Sequence, residues 1–153
     1  MKKTALITFL IFSSALAIVA QMPDKEAVRI PLENYIKAHA TGDPEYARKA
    51  FHTQGNMIWI RDGKYSIETF DSFITRAFTG KPATDEEMRK NGRKIEAVNL
   101  SGNAAVARIV LDYPNVKFVD YMTLLKIDGE WKIVNKSFYA EPKAKPAEAK
   151  KGQ

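Results

Sequence analysis

The 153-residue chain contains no cysteine and only two histidines, His39 and His52. Without cysteine neither a disulfide framework nor a thiolate metal site can form, and a lipid-modified N-terminal cysteine is excluded as well. Two histidines alone are a thin ligand set for a transition metal, so neither a metal nor a cofactor is expected. A phosphate-cradling glycine loop, a nucleophile elbow and a paired-histidine zinc motif are also missing. The apolar run from Ala5 to Val19 is short for a spanning helix, which needs roughly 20 apolar residues.

What that run does fit is a secretory signal. Met1-Lys2-Lys3 supplies a basic start, the apolar centre follows, and Ala20-Gln21 offers a small residue at the junction. Cleavage after Ala20 is expected, giving a secreted or periplasmic protein with no membrane anchor once the signal is removed. The formal charge of +6 then drops by the two lysines of the signal to +4. Much of the remainder lies in EPKAKPAEAKKGQ, where Lys143, Lys145, Lys150 and Lys151 outweigh Glu141 and Glu148. That segment is rich in Pro, Ala and Lys without apolar periodicity and reads as a disordered basic tail. No basic and aromatic stripe runs along one element, so nucleic acid is not an expected partner. The chain therefore divides into a signal (1–20), one domain (21–140) and a tail (141–153).

Leu32, Tyr35, Ile36 and His39 fall at helical spacing after Pro31, which either starts the helix or kinks it, and Thr41-Gly42-Asp43-Pro44 stops it. A second helix is expected from Pro44 to His52, and Asn56 to Arg61 alternates as a strand before an Asp62-Gly63 turn. Phe70, Phe73, Ile74, Ala77 and Phe78 form the apolar stripe of a third helix, with Ser66 placed to cap it. The polar stretch from Thr79 to Asn91 reads as an exposed loop.

After Gly92 the pattern changes to long strands and tight turns: Arg93 to Leu100, Ala104 to Tyr113, Val116 to Ile127 and Glu130 to Tyr139. Helices first and an antiparallel meander second imply an α+β domain. On the third of these strands Val119, Tyr121, Leu125 and Ile127 share one face, and Phe118, Asp120, Met122, Leu124 and Lys126 the other. Helices can cover only one face, so a homodimer through the sheet is expected to cover the second.

Three segments together, GDPEYARKAFHTQGNM, the amphipathic helix after Gly63-Lys64-Tyr65, and FVDYMTLLKIDGEWKIVNK, resemble the lumazine-binding family. It lies within the superfamily of nuclear transport factor two, ketosteroid isomerase and the small polyketide cyclases. The resemblance spans Val28 to Tyr139. It implies a cone-shaped fold, with N-terminal helices packed on a strongly curved, mostly antiparallel sheet and a cavity at the open end. It also implies frequent dimerisation through the sheet. No residue pattern here points to a pteridine, and this superfold hosts enzymes, binders and scaffolds alike.

Candidate site residues follow from chemistry and position. Asp120 sits among apolar residues on an internal strand, so it must be hydrogen-bonded, paired or protonated. It is either a general base or ligand anchor, as an aspartate serves in the isomerase relatives, or the ion-pair partner of Lys136 or Arg108, or a residue at the rim. His52 is either a charge favoured at a helix C-terminus or, by the family resemblance of its Ala-Phe-His motif, a proton carrier near the cavity. His39 reads as structural. Tyr35, Trp59, Phe78, Tyr121 and Tyr139 could line a pocket for a flat ligand or simply fill the core. Asn99 and Asn135 match the glycosylation pattern but fall in expected strands of a protein whose signal looks bacterial.

The expected function is a non-catalytic small-molecule-binding domain of the lumazine-binding type, taking a small planar or apolar ligand. Two alternatives stand beside it. One is an isomerase, dehydratase or cyclase using Asp120 or His52 for proton transfer. The other is a protein-interaction module that works through the exposed sheet face.

Overall fold

The computed structural model describes residues 22–81 and 92–143. The segment read as a signal peptide, the greater part of the expected Thr79–Asn91 loop and the segment beyond Lys143 lie outside the described residues.

A single turn, α1 (Asp24–Ala27), leads into α2 (Arg29–Thr41). Pro31 lies in the first turn of α2, where an amide N–H would have no intrahelical acceptor, so the helix starts two residues before it. Gly42 ends α2 in the left-handed region at φ 71°, and its N–H bonds the Ala38 carbonyl at 2.8 Å. α3 (Pro44–Ala50) is capped by Asp43, which accepts from the Glu45 N–H at 2.9 Å. It stops at Ala50 because Phe51 turns extended, at φ −97° and ψ 146°. His52 is consequently a strand residue rather than the end of a helix, and the expected interaction with a helix C-terminus does not arise.

β1 (Phe51–Arg61) and β2 (Lys64–Thr69) form a hairpin around Asp62 and Gly63, both at positive φ (50° and 73°). Sequence patterning gave the turn without the second strand, since Ser66 sits in β2. The residue capping α4 (Phe70–Ala77) is Thr69, whose hydroxyl accepts from the Ser72 N–H at 3.3 Å. Phe70, Phe73, Ile74 and Phe78 are buried as their spacing predicts, while Ala77 is exposed.

β3 (Arg93–Ser101), β4 (Ala104–Asp112), β5 (Val116–Ile127) and β6 (Glu130–Pro142) complete a six-stranded sheet in the order β2-β1-β6-β5-β4-β3. Every adjacent pair is antiparallel except β1 with β6. β6 runs past the expected end at Tyr139: Val116 pairs with Pro142, and Lys117 bonds Glu141 at 3.0 Å. Glu141 and Pro142 therefore belong to the sheet and not to the tail.

Pairing registers break between Phe51 and Asn56, between Ile95 and Ala97, and between Thr123 and Leu124. Such irregularities bend the strand that carries them, and together they curve the sheet around the helices. At Gly55, inside the first break, a Cβ would lie 2.5 Å from the Phe70 ring and 2.7 Å from the Val134 carbonyl. Only glycine lets α4 pack this closely on β1.

The core fills the concave side. Leu32, Tyr35 and Ala38 of α2 meet Ile109, Met122, Leu124 and Ile133 from the sheet, all buried. On β5 the alternation holds as expected, with Asp120, Met122 and Leu124 inward and Tyr121 and Leu125 exposed on the convex side.

Candidate binding cavity

Side chains two apart on a strand share a face, and two neighbouring strands use this to build a graded wall. β1 presents Met57, Trp59 and Arg61, and β6 presents Lys136, Phe138 and Ala140. Met57 pairs with Lys136 in register, so the parallel strands run together from a buried floor to an exposed rim. α2 crosses opposite them and contributes Tyr35 and His39, one helical turn apart. These residues, with Phe73 and Phe118, enclose about 320 Å³ of largely apolar space. That volume is in the range of small-ligand pockets.

The floor is a three-residue polar network. Tyr35 donates to Asp120 Oδ2 at 2.6 Å, and Lys136 Nζ donates to Tyr35 Oη at 2.9 Å. Lys136 Nζ also lies 3.4 Å from Asp120 Oδ2. Asp120 and Tyr35 are fully buried and Lys136 is 5% exposed. The ammonium is further surrounded by ring faces, 4.8 Å from the centroid of Phe138, 5.0 Å from Phe73 and 5.2 Å from Tyr35. Burial, followed by the charge of Asp120, raises the Tyr35 hydroxyl well above its ordinary range, so Tyr35 stays protonated and keeps donating.

One donor remains available to a ligand. An ammonium has three N–H bonds, of which Tyr35 and Asp120 take two, and Lys136 lines the cavity. The Trp59 indole N–H is buried and has no acceptor among the described residues. Trp59 is held by stacking on Phe138, with ring centroids 5.5 Å apart. His39 packs edge-on to Tyr35 at 4.7 Å, and its Nδ1 lies 3.1 Å from the Tyr113 hydroxyl.

The residues singled out in the sequence separate in space. Tyr35 and Trp59 line the cavity. Asp120 lies beneath it as the partner of Lys136 and Tyr35, one of the two roles weighed for it. Phe78 is a core residue packed on His39 and Phe73 at 5.0 and 5.5 Å. Tyr121 and Tyr139 are 53% and 64% exposed and lie outside the cavity, because their strand positions alternate away from it. His52 faces a separate depression with Arg48 and Asp71, and its Nδ1 accepts from the Gln54 N–H at 3.3 Å. Asp120 and His52 therefore do not converge on one site.

Sequence reasoning missed Lys136 and His39 as cavity residues. The strand pattern offers Lys136 only as a counter-ion, and the helical pattern offers His39 only as structural. The helical spacing from Tyr35 to His39 was the signal for the second. Among the described residues, no group of three His, Cys, Asp or Glu side chains is placed to hold a metal ion.

A curved sheet closed over helices, with a cavity at its open end, defines an NTF2-like protein, and solved structures agree. An NTF2-like protein of unknown function from Shewanella baltica OS155 matches with a TM-score of 0.67 at 24% identity, over 78% of this chain and 95% of that one. Another from Methylobacillus flagellatus KT matches with a TM-score of 0.64 at 26% identity, over 82% and 98%. Within this fold the chain belongs to the family described as "Putative lumazine-binding", whose model matches residues 23–139. A curated relative, aldolase FrzH of Cladobotryum sp., is 24% identical over 114 residues, covering 71% of this chain and 85% of that protein.

Proposed function

We propose that this domain binds a small, flat, largely apolar molecule bearing a carbonyl or comparable oxygen acceptor. The observation that carries the proposal is the Lys136 ammonium, which faces an aromatic cavity with one N–H unused. A ligand oxygen placed there takes a charge-assisted hydrogen bond in a poorly solvated site, where such a bond is worth more than in water. Trp59, Phe138 and Phe118 supply ring surface for the ligand body.

Titration with 2-acetylnaphthalene, followed by tryptophan fluorescence, tests this reading. Saturable binding is expected, weakened about tenfold in Lys136→Met, the loss of one hydrogen bond to a charged donor. Binding unchanged in that variant would overturn it.

A second reading is proton transfer at a carbonyl-activated carbon. It is favoured by His39, a potential base on the cavity wall opposite Lys136, and by the name aldolase carried by the Cladobotryum relative. Here Lys136 would hold the developing enolate oxygen and His39 would take the α-proton. Deuterium uptake into the methyl group of 2-acetylnaphthalene, faster with the protein than in buffer and lost in His39→Gln, would support it. Uptake at the buffer rate would leave binding alone.

The reading also includes export and pairing. N-terminal sequencing of protein from its own host should begin at Gln21, and a retained Met1 would contradict cleavage after Ala20. The exposed Val106, Tyr121 and Leu125 on the convex face are the surface proposed for a homodimer.

A further inference from the structure

The cavity wall carries charge of one sign. Arg61, Arg76 and Lys136 line it, and among the described residues no aspartate or glutamate does. Two of these cations are already matched. Arg76 bonds Glu68 at 2.7 and 3.2 Å, and Lys136 meets Asp120 at the floor. Arg61 has no carboxylate partner among the described residues; its guanidinium lies 5.8 Å from the centroid of the Trp59 ring. The cavity therefore ends, at its rim, in a cation that no carboxylate among the described residues matches, seated beside the ring proposed to support the ligand body.

Position makes the pairing specific. Arg61 is four residues from Met57, which sits beside Lys136 on the floor, so about 13 Å of wall separates the two levels at roughly 3.3 Å per residue. Long side chains reach inward from both levels and shorten that span. Between them lie Trp59 and Phe138, stacked and apolar. A ligand matching this order has an oxygen acceptor at one end, a flat apolar middle and an anion at the other.

Resting on the carbonyl-binding reading, we propose that the ligand class is an elongated oxo-carboxylic acid. Its carbonyl is received by Lys136 at the floor and its carboxylate by Arg61 at the rim. The planar guanidinium fork suits a carboxylate, which it can hold through two parallel hydrogen bonds.

The test compares 6-acetyl-2-naphthoate with 2-acetylnaphthalene, which lacks the carboxylate, on the full chain and on Arg61→Gln, by calorimetric titration. The acid should bind the wild type about tenfold tighter than the ketone, one charge-assisted contact. The preference should disappear in Arg61→Gln, whose melting temperature should match the wild type because Arg61 is exposed. It should also shrink as salt rises, since a rim charge is screened within about 8 Å at physiological ionic strength. Equal affinities in the wild type, or a preference that survives Arg61→Gln, would overturn the assignment of the rim while leaving the floor intact. Failure of both compounds to bind would overturn the carbonyl reading and this inference with it.

Discussion

Replacing Lys136 by Met removes the only cation among the described residues that faces Asp120 within ion-pair distance and leaves a fully buried carboxylate holding one hydrogen bond, from Tyr35. At 3.4 Å and an effective dielectric constant near 20, the direct attraction is about 5 kcal/mol. Removing one member of a buried pair costs about 3–5 kcal/mol, because the survivor keeps its desolvation penalty. That is a large share of the roughly 5–15 kcal/mol that stabilises a domain. Asp120→Leu should cost a comparable amount, since it strands the ammonium and takes the acceptor from Tyr35. The double variant Asp120→Leu/Lys136→Met leaves no buried charge behind, and its cost should fall below about 2 kcal/mol. Urea unfolding of all four proteins, with a common m-value, closes the cycle. A coupling of about 3 kcal/mol or more is expected. Additivity within about 0.5 kcal/mol would refute the view that these side chains act as one unit.

Three further outcomes follow from particular contacts. Gly55→Ala should destabilise by about 1–3 kcal/mol, because the new Cβ presses on Phe70 and on the Val134 carbonyl; thermal melts check it, and a neutral effect would show that α4 can move away. The Tyr35 hydroxyl is raised by burial and by Asp120, so the native state holds a proton that the unfolded chain releases near pH 10. Stability from this group is full below that pH and falls as pH rises through the native value; Tyr35→Phe should flatten the alkaline slope, and an unchanged slope would contradict it. If the convex face makes the proposed homodimer, light scattering should give a dimeric mass that Tyr121→Asp converts to a folded monomer, and a monomeric wild type would remove the interface.

Much of this architecture is legible in the sequence because period and punctuation agree. The Phe70–Phe78 stripe and the turns at Asp62-Gly63 and Asp128-Gly129 place their elements closely, since left-handed conformations and amphipathic faces have few competing interpretations. The alternation on β5 likewise puts Asp120 inside and Tyr121 outside. Errors fell where two signals overlap. Phe51 and His52 continue a helical pattern but belong to a strand, because β1 gains an edge on β6 that no local pattern reveals. β2 alternates Tyr65 and Ile67 with polar residues, but Ser66 also reads as a helix cap, and the competing signal hides the strand.

The site was less legible for a related reason. Asp120 was recognisable because a carboxylate among apolar neighbours is costly, but its role depends on partners 85 and 16 residues away in sequence. Lys136 looks like an ordinary strand lysine until β1 and β5 flank it. The cavity is a product of the curved sheet, and the bulges that set its curvature leave only faint traces in composition.

The central claim is that Lys136 receives a ligand oxygen at the floor of the cavity. A crystal structure of the complex with 6-acetyl-2-naphthoate tests it most directly. The account predicts the acetyl oxygen within about 3.2 Å of Lys136 Nζ, with the ring system against Trp59. A ligand bound elsewhere, or lying in the cavity with its acetyl group turned away from Lys136, would contradict it.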